Sequence, residues 1–403
     1  MLPRFKPTIG WQEFAAAIRL PRKNDVEIFE TAFAKKMGHK HAIAFPYGRT
    51  GLIILLEALG IKGKEIICPA YTCIVVANAI VHSGNTPVFI DCEENGFNMD
   101  LELALEAINE NTGAIIATSL FGHPVDLDKL DSIRQRHKNL KIIQDCAHSF
   151  TAEWRGRPVQ NDGVAALYGL SISKLITSVL GGMVATDDDL LAERIRSLRK
   201  KQLRPATIFK SVKRFFYLLS IYVLFFKPIY RIIFRMGNLE IIQRFFMDSE
   251  SSAIVMPGDL MESMCGLEAR VGLIQLKKFD GILRNRKSLA QLYHEDLSGT
   301  PFIRLPHKMD GATYSHYVVR VSSPDPLIAH AEKQGVELGR FIEYTIDELE
   351  SYQPYKYFGN KVSQTYSVSV INLPIGQYVD EISARTVCRL IMEVYGNIDE
   401  NDD

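Results

Sequence analysis

The stretch Lys141-Ile142-Ile143-Gln144-Asp145-Cys146-Ala147-His148 decides how the rest of this chain is read. Lys141–Gln144 has the short apolar character of a buried strand. Asp145 follows at its C-terminal end, where α/β sheets bind their ligands. A carboxylate in that place can pair with a protonated ring nitrogen and hold its charge. It can equally cap the segment that follows, because caps also favour Asp.

Working outward, the same alternation repeats. His41–Phe45, Glu65–Cys68, Thr86–Ile90 and Gly113–Thr118 read as short buried strands. Between them Asp25–Met37, Thr50–Leu59, Val75–His82, Leu101–Ile108 and Asp126–His137 carry helical spacing. Strands separated by helices of this length predict a mostly parallel sheet covered on both faces, an α/β fold. From Gly266 the pattern changes to a long helix (266–293), a strand (314–322), a helix (326–335), a strand (368–373) and a closing helix (381–395). That predicts a smaller α+β domain. The expected organisation is a large domain over 1–200, an insertion over 201–260, and a helix linker with a small C-terminal domain over 261–403.

Composition narrows the function. The chain has 403 residues, 47% apolar and 23% charged, which suits a large buried core and excludes disorder as its main state. With 47 basic and 47 acidic side chains it has no net charge, so it does not read as a nucleic-acid binder. Its six cysteines form no CxxC pair, and they read as reduced thiols of a cytoplasmic protein, with neither a disulfide frame nor a metal site. The N-terminal MLPRFKPTIGWQEF lacks the apolar core of a signal peptide. No apolar run reaches the ~20 residues that a membrane span needs.

Residues 201–244 break the pattern. They hold nine basic side chains against one acidic, Glu240, a net +8 on a body of −8. At their centre, Phe215–Phe226 reads FFYLLSIYVLFF. A short apolar segment flanked by basic residues suits a helix lying in a bilayer interface, so residues 205–248 are a candidate membrane contact that would place the protein peripherally on the inner face of the membrane. A buried helical element at a subunit interface is the other reading.

Three further segments carry chemistry. In Tyr47-Gly48-Arg49-Thr50-Gly51-Leu52 a glycine stands at a loop-to-helix junction, where free N–H groups attract phosphate. In Tyr168-Gly169-Leu170-Ser171-Ile172-Ser173-Lys174, followed by Gly181-Gly182, a lysine lies between small hydroxyl residues. Desolvation could turn it into a nucleophile, and its apolar neighbours Leu175 and Ile176 weaken the reading as a surface lysine. Pro69-Ala70-Tyr71-Thr72-Cys73 is a strand exit leading into a helix.

In this order and spacing the segments resemble the DegT/DnrJ/EryC1/StrS family of pyridoxal-phosphate-dependent sugar aminotransferases, with fold type I. The stretch Gly84–Asp91 is similar to that family's GATPVFVD strand, Leu120–Asp128 to its LYGxPxDMD stretch, and Leu267–Leu276 to its LQAALGLAQL helix. The resemblance runs from Ile9 to Tyr395, with residues 201–260 as the main exception. It implies pyridoxal 5'-phosphate as cofactor, with Lys174 bonding to it and shuttling the proton. It also implies Asp145 on the pyridine nitrogen, His148 near the phenolic oxygen, and Gly48, Arg49 and Thr50 as the phosphate-cradling turn. The implied assembly is a homodimer with the active site at its interface. The implied substrates are an amino-acid donor, glutamate, and a keto sugar, nucleotide- or lipid-linked, for cell-surface polysaccharide or glycolipid synthesis.

The chain also departs from the family. Cys73 stands where relatives stack an aromatic residue on the ring, with Tyr71 as the nearby alternative. Gly169 replaces a phosphate-binding serine, leaving Ser171 and Ser173 as candidates. Met261-Glu262-Ser263 replaces Asn-Tyr-Arg, Phe341-Ile342 replaces His-Tyr, and Val179-Leu180 replaces Gly-Glu. Two other functions stay open. One is a dehydratase of the same fold, in which relatives replace the lysine. The other is a membrane-associated sensor or scaffold with altered catalysis.

Overall fold

The computed structural model describes residues 1–235 and 254–395. Residues 236–248 of the expected membrane segment lie outside the described residues.

Strands β1 (His41–Phe45), β2 (Glu65–Pro69), β3 (Thr86–Ile90), β4 (Thr112–Thr118) and β5 (Lys141–Asp145) occur within a residue of where their sequence pattern places them. The small hairpin β6 (Glu153–Trp154) and β7 (Arg157–Pro158) leads to β8 (Ala165–Gly169) and β9 (Gly182–Thr186). The main sheet has the order β1-β9-β8-β5-β4-β2-β3-β12, where β12 is Tyr357–Phe358. Pairing is parallel from β8 through to β12, and β9 runs antiparallel to both of its neighbours.

The burial of both faces follows from the period of two along a strand. In β5, Ile142 packs on one side with Phe29, Phe33, Leu130 and Phe279. Ile143, one residue on, packs on the other with Leu52, Leu55, Ile80 and Ile195. The first side is covered by the helices Asp25–Met37, Leu127–Arg136 and Gly266–Leu297. The second is covered by Gly48–Ala58, Val75–His82 and Asp189–Gln202. Close approach sharpens the first side, because a Cβ on Gly272 would fall inside van der Waals contact of the Phe29 ring. Phe29 has no exposed surface, and burying such a side chain contributes about 1.5–3 kcal/mol.

The C-terminal part forms an antiparallel sheet of β10 (Ile303–Arg304), β11 (Tyr317–Val321) and β13 (Val370–Leu373), in the order β10-β11-β13. Leu289, Tyr293, Leu327, Val387 and Ile391 pack with it, from the long helix and from the helices Pro324–Lys333 and Glu381–Tyr395. The segment does not keep to itself, since β12 joins the edge of the main sheet beside Phe89 and Ile90. The strand expected over 368–373 is split, with residues 362–369 helical and only Val370–Leu373 extended.

The insertion folds as two helices, Ile208–Leu224 and Lys227–Arg235. Its basic residues divide, with Lys213, Lys227 and Arg231 exposed and two others buried. Lys210 and Arg214 point inward. Lys210 Nζ donates to the carbonyls of Glu262 (2.7 Å) and Ser263 (2.9 Å), and Arg214 pairs with Glu268 (2.6 Å) and Asp259 (2.7 Å). The outward face carries Phe209, Val212, Phe216, Leu219, Val223 and Phe226, all exposed. No single helix among the described residues is long and apolar enough to cross a membrane. Ile208–Leu224 with Lys227–Phe234, bent by 75°, meets that measure only as a pair.

Candidate active site

Asp145 ends β5, and its register partner Thr118 ends β4, so both reach the carboxyl end of the sheet. Thr118 Oγ1 donates to Asp145 Oδ2 (3.3 Å), and the Ala147 N–H donates to Oδ1 (3.0 Å). Burial pushes the Asp145 carboxyl above its usual range, against the pull of the Ala147 N–H, the Lys174 charge and Thr118.

The chain turns after Asp145 and brings in His148. The loop between β8 and β9 delivers Lys174, whose Nζ lies 2.8 Å from His148 Nε2. The Phe121 N–H points into His148 Nδ1 (3.3 Å), which assigns the ring proton to Nε2. Burial first, then the charge of Lys174 and the neighbouring His316, hold His148 well below the usual imidazole range, so the ring is neutral. Phe121 itself has a left-handed backbone (φ 56°), and its ring stacks on His148 at a centroid distance of 6.1 Å.

The helix Gly48–Ala58 starts beside them. A Cβ on Gly182 would fall on the Gly48 backbone nitrogen, so the first glycine of β9 lets the helix start sit directly on the sheet. The first N–H groups of such a helix have no partner within it and face any anion placed there.

A cavity of about 450 Å³ joins these groups. Gly48, Arg49, Cys73, Asp145, His148, Ser171 and Lys174 all line it. Thr50 does not. It is fully buried, and its hydroxyl donates to the Leu260 carbonyl (2.9 Å), so only its backbone remains for a phosphate. Tyr71 is also absent from the lining. It packs at 6.2 Å from the Phe121 ring, with its hydroxyl on the Ile342 carbonyl (3.4 Å). Cys73 therefore keeps its place in the cavity wall without an aromatic substitute from Tyr71. Ser171 Oγ lies 3.1 Å from Ser173 Oγ, and both residues line the cavity. Gly169, where relatives carry a serine, leaves room for the lysine, because a Cβ there would stand 3.1 Å from Lys174 Cε.

Several lining residues had no local signal. His316 directly precedes β11 and is buried. Its Nε2 has no hydrogen-bond partner among the described residues, and burial together with Arg286, Lys174 and Arg4 holds its ring well below the usual range. Arg286, on the long helix, donates to the Ser315 carbonyl, and burial pulls its guanidinium down to about 10. Phe341 lies 4.1 Å from the His316 ring. Tyr217 of the insertion also lines the cavity. The Met261–Ser263 stretch holds the insertion instead: the Met261 carbonyl accepts from the Arg204 N–H, and the Ser263 N–H donates to the Arg204 carbonyl (2.9 Å each).

The residues present fit pyridoxal phosphate. Asp145 is a buried carboxyl whose upward shift a ring N–H would relieve. Lys174 is an amine at hydrogen-bonding distance from a neutral ring, and the Gly48 turn offers N–H groups to a phosphate. A lysine and a carboxylate set this way at the carboxyl edge of such a sheet define a class, the pyridoxal-phosphate-dependent aminotransferases. The model of the DegT/DnrJ/EryC1/StrS aminotransferase family matches residues 15–216 and 257–392, and the chain belongs to that family. Residues 217–256, most of the insertion, fall outside the match. An uncharacterized protein of Methanocaldococcus jannaschii is 28% identical over 349 residues, 85% of this chain and 80% of that protein. Among solved structures, DesV of S. venezuelae in complex with a ketimine intermediate is 24% identical, with a TM-score of 0.77 over 96% of this chain and 95% of that one. PseC of Helicobacter pylori, an aminotransferase involved in pseudoaminic acid biosynthesis, is 18% identical, with a TM-score of 0.77 over 98% and 100%.

Proposed function

We propose that this aminotransferase moves an amino group from glutamate to the keto group of a sugar used in cell-surface polysaccharide or glycolipid synthesis. The observation that carries the reading is the hydrogen bond between His148 and Lys174 in the cavity that Asp145 also lines. When bound, the cofactor supplies an electron sink for the carbon that loses its proton. Asp145 is placed to hold the proton on the ring nitrogen. Lys174 Nζ lies 2.8 Å from His148 Nε2 and is the group that would take up and return a proton when the cofactor is bound. Leu120 and Phe341 form apolar wall of the cavity, and Phe121 backs the His148 ring.

The retained lysine separates this reading from a dehydratase, and the intact Lys174–His148–Asp145 group separates it from a cofactor-free scaffold. The test is the visible spectrum of the purified protein with pyridoxal phosphate, wild type beside Lys174→Ala, before and after glutamate. A band that requires Lys174 and bleaches with glutamate supports the reading. A band that needs Lys174 but ignores every amino acid offered overturns the donor.

The reading includes two assemblies. The first is a homodimer, as the family resemblance implies, checked by light scattering of the eluting protein. The second is peripheral contact with a membrane surface through the insertion. Supporting it, Phe209 is 67% exposed, Phe216 60% and Phe226 57%, on a face with exposed Lys213, Lys227 and Arg231. Converting Phe209 and Phe216 to Ser should abolish sedimentation with liposomes while leaving the cofactor band. Unchanged sedimentation rejects the membrane contact.

A further inference from the structure

A second cavity, of about 370 Å³, lies at the elbow between the two insertion helices. Ile9, Ile221, Phe225 and Phe226 form apolar wall, and Lys6 and Lys227 stand at it. Burial, and then the Lys227 charge, pull the Lys6 ammonium down from its usual range. Among the described residues neither lysine has a hydrogen bond or an ion pair. Asp380 also feels the Lys227 charge, though its carboxyl is held down mainly by Ser383.

Two ammonium groups that repel each other beside an apolar pocket are an unfinished arrangement. An anion between them would relieve the repulsion, and only a ligand with an apolar part would fill the space behind. A phosphate on a hydrocarbon chain has both. A free sugar phosphate would leave its hydroxyls against Ile221 and Phe225, at the cost of lost hydration. The pocket is also continuous with the outward apolar face, through half-exposed Tyr222 and exposed Phe226.

We propose that this elbow is a binding site for the phosphate headgroup of a membrane lipid, with the phosphate between Lys6 and Lys227 and the chain along Ile221, Phe225 and Phe226. The proposal rests on the membrane contact above and gives that contact a defined seat. The seat is built from the two segments that also reach the catalytic cavity. Arg4 and Phe5 precede Lys6, Tyr217 lies one helical turn before Ile221, and all three line the larger cavity. A lipid held at the elbow therefore orients the active-site mouth toward the bilayer surface, where a lipid-linked keto sugar would be presented.

The experiment is sedimentation of the full-length protein with vesicles of phosphatidylcholine alone and of phosphatidylcholine mixed with phosphatidylglycerol. Three forms are compared: wild type, Lys6→Gln/Lys227→Gln, and Lys213→Gln/Arg231→Gln, which removes the same charge from the exposed helix surfaces. Diffuse attraction to an anionic surface contributes about a factor of five per basic residue and is lost from both pairs, so a seated phosphate shows as a further loss of at least about tenfold from the elbow pair on the mixed vesicles. The control pair should lose clearly less, and Lys6→Arg/Lys227→Arg should restore binding. Equal losses from the two pairs would mean diffuse charge attraction, and the seat would be rejected while the membrane contact stands. Wild type that sediments with neither vesicle rejects the membrane contact and the seat together. Inorganic phosphate alone that binds with the same dependence on Lys6 and Lys227 assigns the site to a free phosphate and overturns the lipid.

Discussion

His148 Nε2 lies 2.8 Å from Lys174 Nζ, and the Phe121 N–H closes the other side of the imidazole at 3.3 Å. The proton on that ring is therefore set by a backbone group 27 residues away in the chain, in a residue with left-handed φ. The imidazole so fixed holds the lysine nitrogen in a defined position. His148→Phe should keep the fold and slow the glutamate-dependent bleaching by about 10²-fold, the lower range for a lost acid–base partner. His148→Gln, which retains a donor, should lose less. Stopped-flow absorbance measures both, and equal loss in the two variants would mean that the hydrogen bond is immaterial.

Gly182→Ala tests how the phosphate turn is seated. The new methyl would press on the Gly48 backbone, which cannot swing aside as a flexible side chain would. Cofactor affinity should fall by at least about tenfold, the equivalent of roughly 1.4 kcal/mol of displaced anion contacts. Titration of the apoprotein with pyridoxal phosphate, followed by tryptophan fluorescence, reads the change directly.

Gly272→Ala probes packing away from the site. Its Cβ would enter the Phe29 ring in a core with no room to move. Overpacking of this kind costs about 1–3 kcal/mol. Urea unfolding should show a lower midpoint, while the Lys174-dependent absorption band stays as in the wild type.

The acid limb of stability should carry a histidine signature. Burial holds His123 down at about 4, and the repulsion of His307 adds to it. A histidine depressed in the folded state favours the folded form above its unfolded value of about 6.5. That stability is then lost as pH falls from about 6.5 to 4. For His123 alone the loss amounts to about 3 kcal/mol over the window. His148 and His316, depressed in the same direction, steepen it. His123→Gln should flatten the melting temperature against pH between those limits, and an unchanged curve would show that His123 remains neutral in the unfolded chain as well.

The local elements were legible because each is fixed by its own spacing. Asp25–Met37, His41–Phe45, Val75–His82, Thr86–Ile90 and Glu381–Tyr395 occur with the bounds that their apolar periods give. Ile142 and Ile143 go to opposite faces of the sheet for the same reason. Asp145 and Lys174 were legible through the order and spacing of the segments that resemble the family, since an Asp at a strand end is by itself also an ordinary cap. The strands β8 and β9 carry little signal, since short runs with alanine and glycine show little hydrophobic period, and β12, at two residues, is too short to show any.

Other features needed the folded chain. Thr50 has the residue type for a phosphate contact, yet its hydroxyl is taken by Leu260, 210 residues away. The +8 count over 201–244 could not show that Lys210 and Arg214 turn inward onto Glu262, Ser263, Glu268 and Asp259. His316, Arg286 and Phe341 enter the catalytic cavity, and Lys6 meets Lys227, only through contacts between distant segments. The sequence by itself determined the alternation of strands and helices and the residue types of the catalytic group, because periodicity and side-chain chemistry are local properties. The tertiary structure decided which polar groups are satisfied, which charges are left facing one another and which apolar face stays uncovered. Burial and hydrogen bonding depend on what the rest of the chain brings alongside.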